Sequence, residues 1–338
     1  MSAVSCSVGR SDGPIEAVNT LLEELFSQIP GVRGYAEDVR LALHTSRAGE
    51  TNSTPFVQLP SLCCQAVGGY AARAIPVMAA WYALMLAARI LDDLEDEDTH
   101  GALWAKLGTA RAVNVATGLI LAAPLALLQL EQHGVRSDHL LELLKDTQRA
   151  ALHACAGQRD GLARNEALKN GWEIAEATAG EPFALACRAG ALVGEGTSSQ
   201  VERLSEFGQH LGVLTQIADD IADIWQASGH SDLAAGRETL PVLYALAVSS
   251  PAVRGQLRRL LDLAPQDAGA ASQARQMLAD QGALHAMVFE AEVRRQHARS
   301  ALRMVDANSP AKDQLLGLVD QAMAWMDRGT YDARCSCG

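Results

Sequence analysis

The sequence has few aromatic residues, no closely spaced cysteine pair of the CxxC type and no excess of positive charge. Aromatic residues make up 4% of the 338 residues, so a core built from this chain must be largely aliphatic. Acidic residues outnumber basic ones by 40 to 28, which gives a formal net charge of -12. DNA or RNA would be repelled by this field, and no lysine- or arginine-rich helix face offsets it. We therefore expect no nucleic-acid partner.

The sequence also lacks the signals of secretion and of a membrane span. The first 13 residues contain no apolar signal-peptide core and are predicted to be disordered. The seven cysteines are scattered, which favours reduced thiols and a cytoplasmic protein. The run Ala112–Leu130 is uncharged but contains Asn114, Pro124 and Gln129, so we interpret it as a buried helix rather than a membrane span.

Helical periodicity extends through most of the chain, without strand alternation or a glycine- and proline-rich linker. Hydrophobic residues make up 49% of the sequence, and alanine and leucine, both strong helix formers, dominate them. Apolar residues at three- and four-residue spacing predict helices at 15–29, 35–46, 57–71, 74–96, 109–133, 137–156, 170–194, 198–227, 238–248 and within 252–328. Residues 47–55 are predicted to form a loop. The fold class is therefore predicted to be all-α, with one domain over residues 14–330 and a tail over 331–338.

A first acidic cluster, which contains Asp92, Asp93 and Asp96, ends an apolar helical run. Asp92 and Asp96 are four residues apart and share one helical face. Like charges at this spacing destabilise a helix, and the macrodipole disfavours carboxylates at its C-terminal end. A bound cation would offset both effects, so the cluster is a candidate metal site.

A second acidic cluster contains Asp219, Asp220 and Asp223, inside another apolar helix. Either cluster alone could be a solvated run of charge, but two DDxxD patterns on separate apolar helices favour a shared chemical role. Mg²⁺ takes one or two carboxylates and leaves positions for phosphate oxygens. We predict that all six aspartates are catalytic and that four of them bind metal: Asp92, Asp96, Asp219 and Asp223.

In these motifs the sequence resembles the trans-isoprenyl diphosphate synthase, or polyprenyl synthetase, family. The resemblance covers about residues 35–328 and includes the first motif at 92–96, the second at 216–223 and the segment 232–241 that follows it. It implies an all-α bundle around a deep central cavity. It also implies an allylic isoprenyl diphosphate as substrate, with three Mg²⁺ ions at the cavity mouth, and a homodimer.

The resemblance suggests further residues that contact the substrate. Arg237 stands where the family has a lysine and is predicted to donate hydrogen bonds to the diphosphate, with Arg159 as a weaker candidate. Either arginine could instead be an ordinary surface residue. Gln216 belongs to the second motif, and Phe183 offers an aromatic face that could stabilise a carbocation.

Two alanines, Ala87 and Ala88, lie one turn before the first motif, where the family forms the floor of its cavity. Small side chains at this place predict a deep apolar pocket that accepts C20 or longer substrates better than C10. The alternative is that these alanines only allow two helices to pack closely.

The departures from the family determine the expected reaction. Chain-elongating members carry a Gly-Gly-Lys-Arg-x-Arg-Pro segment that binds isopentenyl diphosphate, whereas Ala48–Pro55 has no basic residue and contains Glu50. The family's Lys-Thr pair reads Ala177-Thr178. We therefore expect a terpene synthase, or cyclase, acting on a C15–C25 diphosphate. The alternatives are a prenyltransferase, which elongates chains or uses a non-isopentenyl acceptor, and a non-catalytic partner subunit, against which the intact aspartates argue.

Overall fold

The computed structural model describes residues 13–28, 33–49, 54–95, 103–162, 167–226, 233, 237–305 and 309–324. Every regular element in these ranges is helical. The α-helices are α1 (Pro14–Ser27), α2 (Arg33–Gly49), α3 (Thr54–Val57), α4 (Leu59–Ala66), α5 (Ile75–Glu95), α6 (Leu103–Leu107), α7 (Thr109–Leu128), α8 (Ser137–Gly161), α9 (Leu168–Ala175), α10 (Glu181–Val193), α11 (Ser198–Gln226), α12 (Leu240–Val248), α13 (Pro251–Leu263), α14 (Ala268–Asp280), α15 (Ala283–Arg303) and α16 (Pro310–Ala322). A π-helical turn, Glu176–Gly180, joins α9 to α10. The predicted all-α class is confirmed.

The helices group into two compact units, each described by itself below. The first takes the described residues within Met1–Ser61 and Tyr70–Arg136, and the second those within Leu62–Gly69 and Ser137–Gly338. A single domain over residues 14–330 remains a prediction. The predicted N-terminal segment, except Gly13, and the tail over 331–338 lie outside the described residues.

The first unit is centred on α5, which packs against α1 and α7. Small and aliphatic residues fill most of α5, and eleven of its residues are buried. One tryptophan and one tyrosine connect α5 to its neighbours. Trp81 Nε1 donates to the carbonyl oxygen of Phe56 at 2.9 Å, and the Tyr82 hydroxyl donates to the carbonyl oxygen of Leu43 at 3.4 Å. These bonds satisfy polar atoms that burial would otherwise leave unpaired. The acidic end of α5 is thus supported by a rigid apolar body.

The second unit is centred on α11, which has 29 residues and packs against α10 and α15. Glycines allow α10 and α11 to approach closely. A Cβ atom at Gly212 would lie 2.3 Å from the carbonyl oxygen of Ala179, and one at Gly208 would lie 2.4 Å from that of Phe183. Since backbone atoms cannot yield as side chains do, these positions require glycine.

The sequence predicted most helices within a few residues, but some details differ. The predicted loop at 47–55 is helical up to Gly49 and again from Thr54, while residues 50–53 lie outside the described residues. The short helix α6 was missed, because five residues are too few to display a helical period.

Two helices, Ala71–Glu95 and Thr109–His133, are long and apolar enough to cross a membrane by length and composition alone. Core helices of soluble proteins meet the same criterion. In the most apolar 18-residue window, 67% of the first and 44% of the second are buried. The second contains the run Ala112–Leu130, whose assignment as a buried helix therefore remains a prediction.

Candidate functional site

The first acidic motif occupies the last turn of α5. Asp92 is exposed, Asp93 is half-buried and Glu95 is exposed, so carboxylate oxygens are accessible there. Asp96, the other predicted metal ligand of this motif, lies outside the described residues. The turn therefore presents oxygen donors at the helix end where negative charge is least favourable, as the sequence predicted.

The two alanines before this motif have different environments. Ala87 is completely buried, whereas Ala88 is exposed. Because Ala88 is four residues before Asp92, it lies on the same face of α5 as that carboxylate. Ala88 thus fits the predicted lining of a substrate pocket, and Ala87 fits the alternative of close helix packing.

The second acidic motif lies near the end of α11. Asp219 is exposed and Asp223 is half-buried, whereas Ile217, Ile221 and Ile224 are buried on other faces of the helix. The motif therefore combines an apolar anchor with accessible carboxylates. This arrangement agrees with the predicted metal-binding role of Asp219 and Asp223, which remains a prediction.

Asp220 differs from its two acidic neighbours because it is buried and both of its carboxylate oxygens accept hydrogen bonds. Oδ1 accepts from Gln216 Nε2 at 2.8 Å, and Oδ2 accepts from the backbone amide of Leu240 at 3.0 Å. Burial raises the pKa of Asp220 to about 7; the two hydrogen bonds oppose this shift, and the charges of Asp219 and Asp223 add to it. Asp220 thus ties α11 to the start of α12. Gln216, a predicted substrate ligand, has its amide nitrogen committed to Asp220.

The two predicted diphosphate-binding arginines are in different surroundings. Arg159 is on the last turn of α8, where its Nη1 bonds Asp160 Oδ1 at 2.6 Å and its side chain is 82% exposed. Arg237 is half-buried and lies three residues before α12, in the segment that Asp220 holds through Leu240. Arg237 is thus less exposed than Arg159, and the diphosphate-binding role of both remains a prediction. Phe183 is half-buried on α10, against α11.

The donors in both motifs suit Mg²⁺, which prefers carboxylate oxygens. Among the described residues, no group of three or more histidine, cysteine, aspartate or glutamate side chains is arranged to hold a metal ion. Mg²⁺ needs only one or two protein carboxylates when phosphate oxygens and water complete its octahedron. The carboxylates of both motifs therefore fit a Mg²⁺–diphosphate complex.

A cluster that the sequence did not reveal surrounds the π-helical turn. Arg294 Nη1 on α15 bonds Glu176 Oε1 at 2.8 Å, and Gln209 Nε2 on α11 bonds Glu176 Oε2 at 2.9 Å. The guanidinium of Arg294 also lies 5.7 Å from the centre of a Trp172 ring. The turn contains Ala177-Thr178, where the family has Lys-Thr. No local pattern pairs Glu176 with Arg294, because 118 residues separate them.

A separate surface cleft of about 320 Å³ lies between α1 and α2. Its lining is polar and includes Glu16, Asn19, Glu23, Arg40 and His44. None of the predicted site residues lines it, so it does not belong to the acidic motifs.

The helical fold and the order of the motifs define a class of enzyme scaffolds known from the isoprenoid synthases. A sequence model of the polyprenyl synthetase family matches residues 57–278. This match spans well over half of the chain, and the chain belongs to the polyprenyl synthetase family.

Three similar proteins illustrate the relationship. The tryptophan prenyltransferase ComQ of Bacillus subtilis is 27% identical over 162 residues, which cover 48% of this chain and 51% of ComQ. A (2E,6E)-farnesyl diphosphate synthase of Mycobacterium bovis is 29% identical over 189 residues, 51% of this chain and 50% of that enzyme. The chain thus spans about half the length of these two relatives. A polyprenyl synthase from Caulobacter crescentus, crystallised with calcium and isoprenyl diphosphate, superimposes with a TM-score of 0.76 at 26% identity, over 93% of this chain and 95% of that one.

Proposed function

We propose that this protein is a Mg²⁺-dependent prenyltransferase that moves the prenyl group of an allylic diphosphate to an acceptor. Family membership, together with accessible carboxylates in both acidic motifs, carries the proposal. The names of the relatives agree with it, since ComQ is a tryptophan prenyltransferase and the Mycobacterium bovis relative is a farnesyl diphosphate synthase. Transfer is therefore preferred to the cyclisation expected from the sequence.

Four aspartates would hold the Mg²⁺ ions: Asp92, Asp96, Asp219 and Asp223. We propose three ions, the number that the resemblance to the family implies. Bound Mg²⁺ would neutralise the charge that builds up on the departing diphosphate. The C1–O bond breaks and its electron pair leaves with the diphosphate. The acceptor supplies the electrons for the new bond to C1 and then loses a proton. Arg237 would donate hydrogen bonds to diphosphate oxygens and so help to hold the leaving group.

The loss of basic residues over Ala48–Pro55 bears on the acceptor. A second diphosphate would find no charge-assisted donors in this segment, and Glu50 would repel it. We therefore propose that the acceptor carries no diphosphate. Nucleophilic aromatic rings such as indole are the first class of acceptor to test, because the relative ComQ is named a tryptophan prenyltransferase.

The test supplies labelled C10, C15, C20 and C25 allylic diphosphates with Mg²⁺ and one acceptor at a time. The acceptors are isopentenyl diphosphate, tryptophan, a tryptophan-containing peptide and none. A prenylated indole product supports the proposal. Efficient formation of longer diphosphates from isopentenyl diphosphate would show chain elongation instead and would contradict the argument about the acceptor. Full activity in excess chelator would contradict the metal requirement.

Cyclisation is the second candidate, favoured by the absence of basic residues in Ala48–Pro55. A carbocation formed without a second diphosphate nearby can be attacked by its own double bonds. A hydrocarbon or terpene alcohol formed without any acceptor would establish it. A folded protein that binds Mg²⁺ and diphosphate but yields no product in any arm would support the non-catalytic subunit.

We also propose that two copies associate through the exposed face of α7. Val113, Leu121, Leu125 and Leu128 form an exposed apolar stripe at helical spacing, with relative exposures of 41%, 65%, 49% and 41%. No charge occurs between Ala112 and Leu130, so two copies of the stripe would not repel one another. A cytoplasmic location is proposed from the scattered cysteines alone.

A further inference from the structure

The acidic turn at the end of α5 is electrostatically unfavourable and needs an anchor. Asp92, Asp93 and Glu95 lie within four residues, at the negative end of the helix dipole. Carbonyl groups in a last helical turn also lack amide partners from within the helix. Without support, this turn would fray and the carboxylates would lose their fixed positions.

Trp104 supplies a partner for this turn. Its indole Nε1 donates to the backbone carbonyl of Asp93 at 3.0 Å, in a partly buried contact. A neutral donor satisfies the carbonyl without competing for the carboxylates, as a lysine or arginine side chain would. The indole therefore adds no positive charge that would compete with a cation for these carboxylates.

The helix that carries Trp104 is itself fixed on several sides. Leu103 is buried, Lys106 Nζ reaches Thr45 Oγ1 of α2 at 3.4 Å, and α6 packs against α5 and α7. Gly108 donates its amide to the carbonyl of Trp104 at 2.7 Å, and with φ +80° it adopts a conformation that side chains disfavour. Its tight turn leads directly into α7, so Trp104 is held by the body of the first unit.

We propose that Trp104 is a positioning residue for the first acidic motif, which holds the last turn of α5 in the conformation that binds Mg²⁺ and diphosphate. The inference rests on the proposed function. It goes beyond the motif itself, because Trp104 bonds the backbone of Asp93 and its indole N–H is a donor, not a metal ligand.

The test compares Trp104→Phe with Trp81→Phe. Both changes keep an aromatic ring and remove one indole N–H donor to a backbone carbonyl. Trp81 is on α5, the helix that carries the first acidic motif. It is eleven residues before Asp92 and hence roughly 16 Å from it along the helix. Thermal unfolding is followed while Mg²⁺ is titrated in the presence of inorganic pyrophosphate, and hydrogen exchange is measured for the peptide that covers residues 86–95.

Trp104→Phe should raise the Mg²⁺ concentration for half-maximal stabilisation by about fivefold, which corresponds to one neutral hydrogen bond of ~1 kcal/mol. It should also speed exchange in residues 86–95. Trp81→Phe should lower the unfolding temperature without moving the Mg²⁺ midpoint. An unchanged Mg²⁺ midpoint in Trp104→Phe, or an equal shift of the midpoint in both variants, would overturn the inference. The proposed function would still stand in that case if Mg²⁺ and pyrophosphate stabilise the wild-type protein.

A wild-type protein that Mg²⁺ and pyrophosphate do not stabilise would overturn the inference and the metal assignment together.

A second measurement uses the wild-type protein, so that the test does not depend on whether a variant folds. The sequence has five tryptophans, whose indole N–H signals can be resolved by nitrogen-15 labelling. The Trp104 indole proton should exchange slowly and its signal should move when Mg²⁺ and pyrophosphate bind; rapid exchange would contradict the proposal.

Discussion

At the scale of single residues, adjacent aspartates in the second motif perform separate tasks. Asp219 presents its carboxylate to solvent, while Asp220 accepts two hydrogen bonds in the interior. Removing a partner one shell beyond a metal ligand costs about 10- to 100-fold in metal affinity or activity, and removal of a ligand should cost at least as much. Asp219→Ala should therefore lower turnover by ~100-fold or more and leave the unfolding free energy nearly unchanged.

Asp220→Ala should act mainly on stability. It leaves the buried amide of Leu240 without an acceptor, which costs about 1–3 kcal/mol. Asp220→Asn keeps an oxygen for this amide and should recover part of the loss. Denaturant unfolding and steady-state turnover, measured on all three variants, separate the two tasks. Equal loss of stability in Asp219→Ala and Asp220→Ala would contradict this division.

We expect His210 to make the stability of the second unit depend on pH. Burial lowers its pKa, and the charges of Arg294 and His297 on α15 lower it further, while Glu206 and Glu176 act in the opposite direction. The folded state therefore binds a proton less readily than the unfolded chain, whose histidines titrate near pH 6.5. The contribution is fully present above about pH 6.5 and is lost as the pH falls through the lower folded pKa.

We expect His210→Gln to flatten the decline of unfolding free energy between about pH 7 and pH 5. His133→Gln is the matched control, because His133 is exposed on the short helical segment after α7. Denaturant titrations at several pH values provide the measurement. A decline of the same slope in His210→Gln and wild type would show that another group is responsible.

At this scale, the sequence revealed residue types but not their surroundings. The spacing of the aspartates placed Asp219 and Asp223 on one helical face, and their accessibility agrees with that placement. The burial of Asp220 could not be predicted, because it depends on Leu240, twenty residues away. The bond from Trp104 to Asp93 was missed for the same reason: it crosses from one helix to the next.

At the scale of elements, α5 combines an apolar core face with an accessible face that ends in the first motif. Ala88 is on the accessible face one turn before Asp92, and Ala87 is buried. If Ala88 lines the pocket for the prenyl chain, Ala88→Phe should shift the preference of the enzyme towards shorter substrates. Each CH₂ group that no longer fits forgoes roughly 0.8 kcal/mol of transfer free energy.

The measurement is kcat/KM for C10, C15, C20 and C25 diphosphates. Ala87→Phe is the contrasting variant, since a large ring in a filled core costs ~1–3 kcal/mol of stability or more. It should reduce the yield of folded protein without a specific change in chain-length preference. A wild type that already prefers C10, or an unchanged preference in Ala88→Phe, would refute the role of Ala88.

Helix identity was predictable here because apolar periodicity is the dominant signal in long helices. The predicted helix at 198–227 agrees with α11. The break before α15 was not predicted. It depends on Gly282, whose φ of +76° ends one helix and starts the next without a proline.

At the scale of the whole molecule, the fold constrains the chemistry less than the individual residues of the site do. The chain belongs to the polyprenyl synthetase family, and its segment Ala48–Pro55 contains no basic residue. Family membership therefore predicts ionisation of an allylic diphosphate more directly than it predicts the fate of the cation. That fate depends on which nucleophile the protein admits.

The exposed stripe on α7 is the feature of the surface that bears on the whole assembly. Soluble monomers rarely leave large contiguous apolar patches in water, and a larger one indicates an interface. Leu121, Leu125 and Leu128 span eight residues, or roughly 12 Å along the helix, and Val113 lies on the same side beyond the exposed Thr117. A twofold axis would bring the stripe against its own copy, and the absence of charge makes this contact favourable.

Replacing both Leu121 and Leu125 with glutamate should therefore convert a dimer into a monomer, since two like charges per copy would face each other across the axis. Light scattering after gel filtration measures the mass, which is 35.9 kDa for one chain. The matched control is glutamate at Leu152, an exposed leucine on α8 outside the stripe, which should leave the mass unchanged. A wild-type protein that remains monomeric at high concentration contradicts the proposal, as does a double variant that remains dimeric. Neither leucine belongs to an acidic motif. The increase in unfolding temperature of the monomeric variant on addition of Mg²⁺ and pyrophosphate therefore reports whether each copy binds its substrate independently.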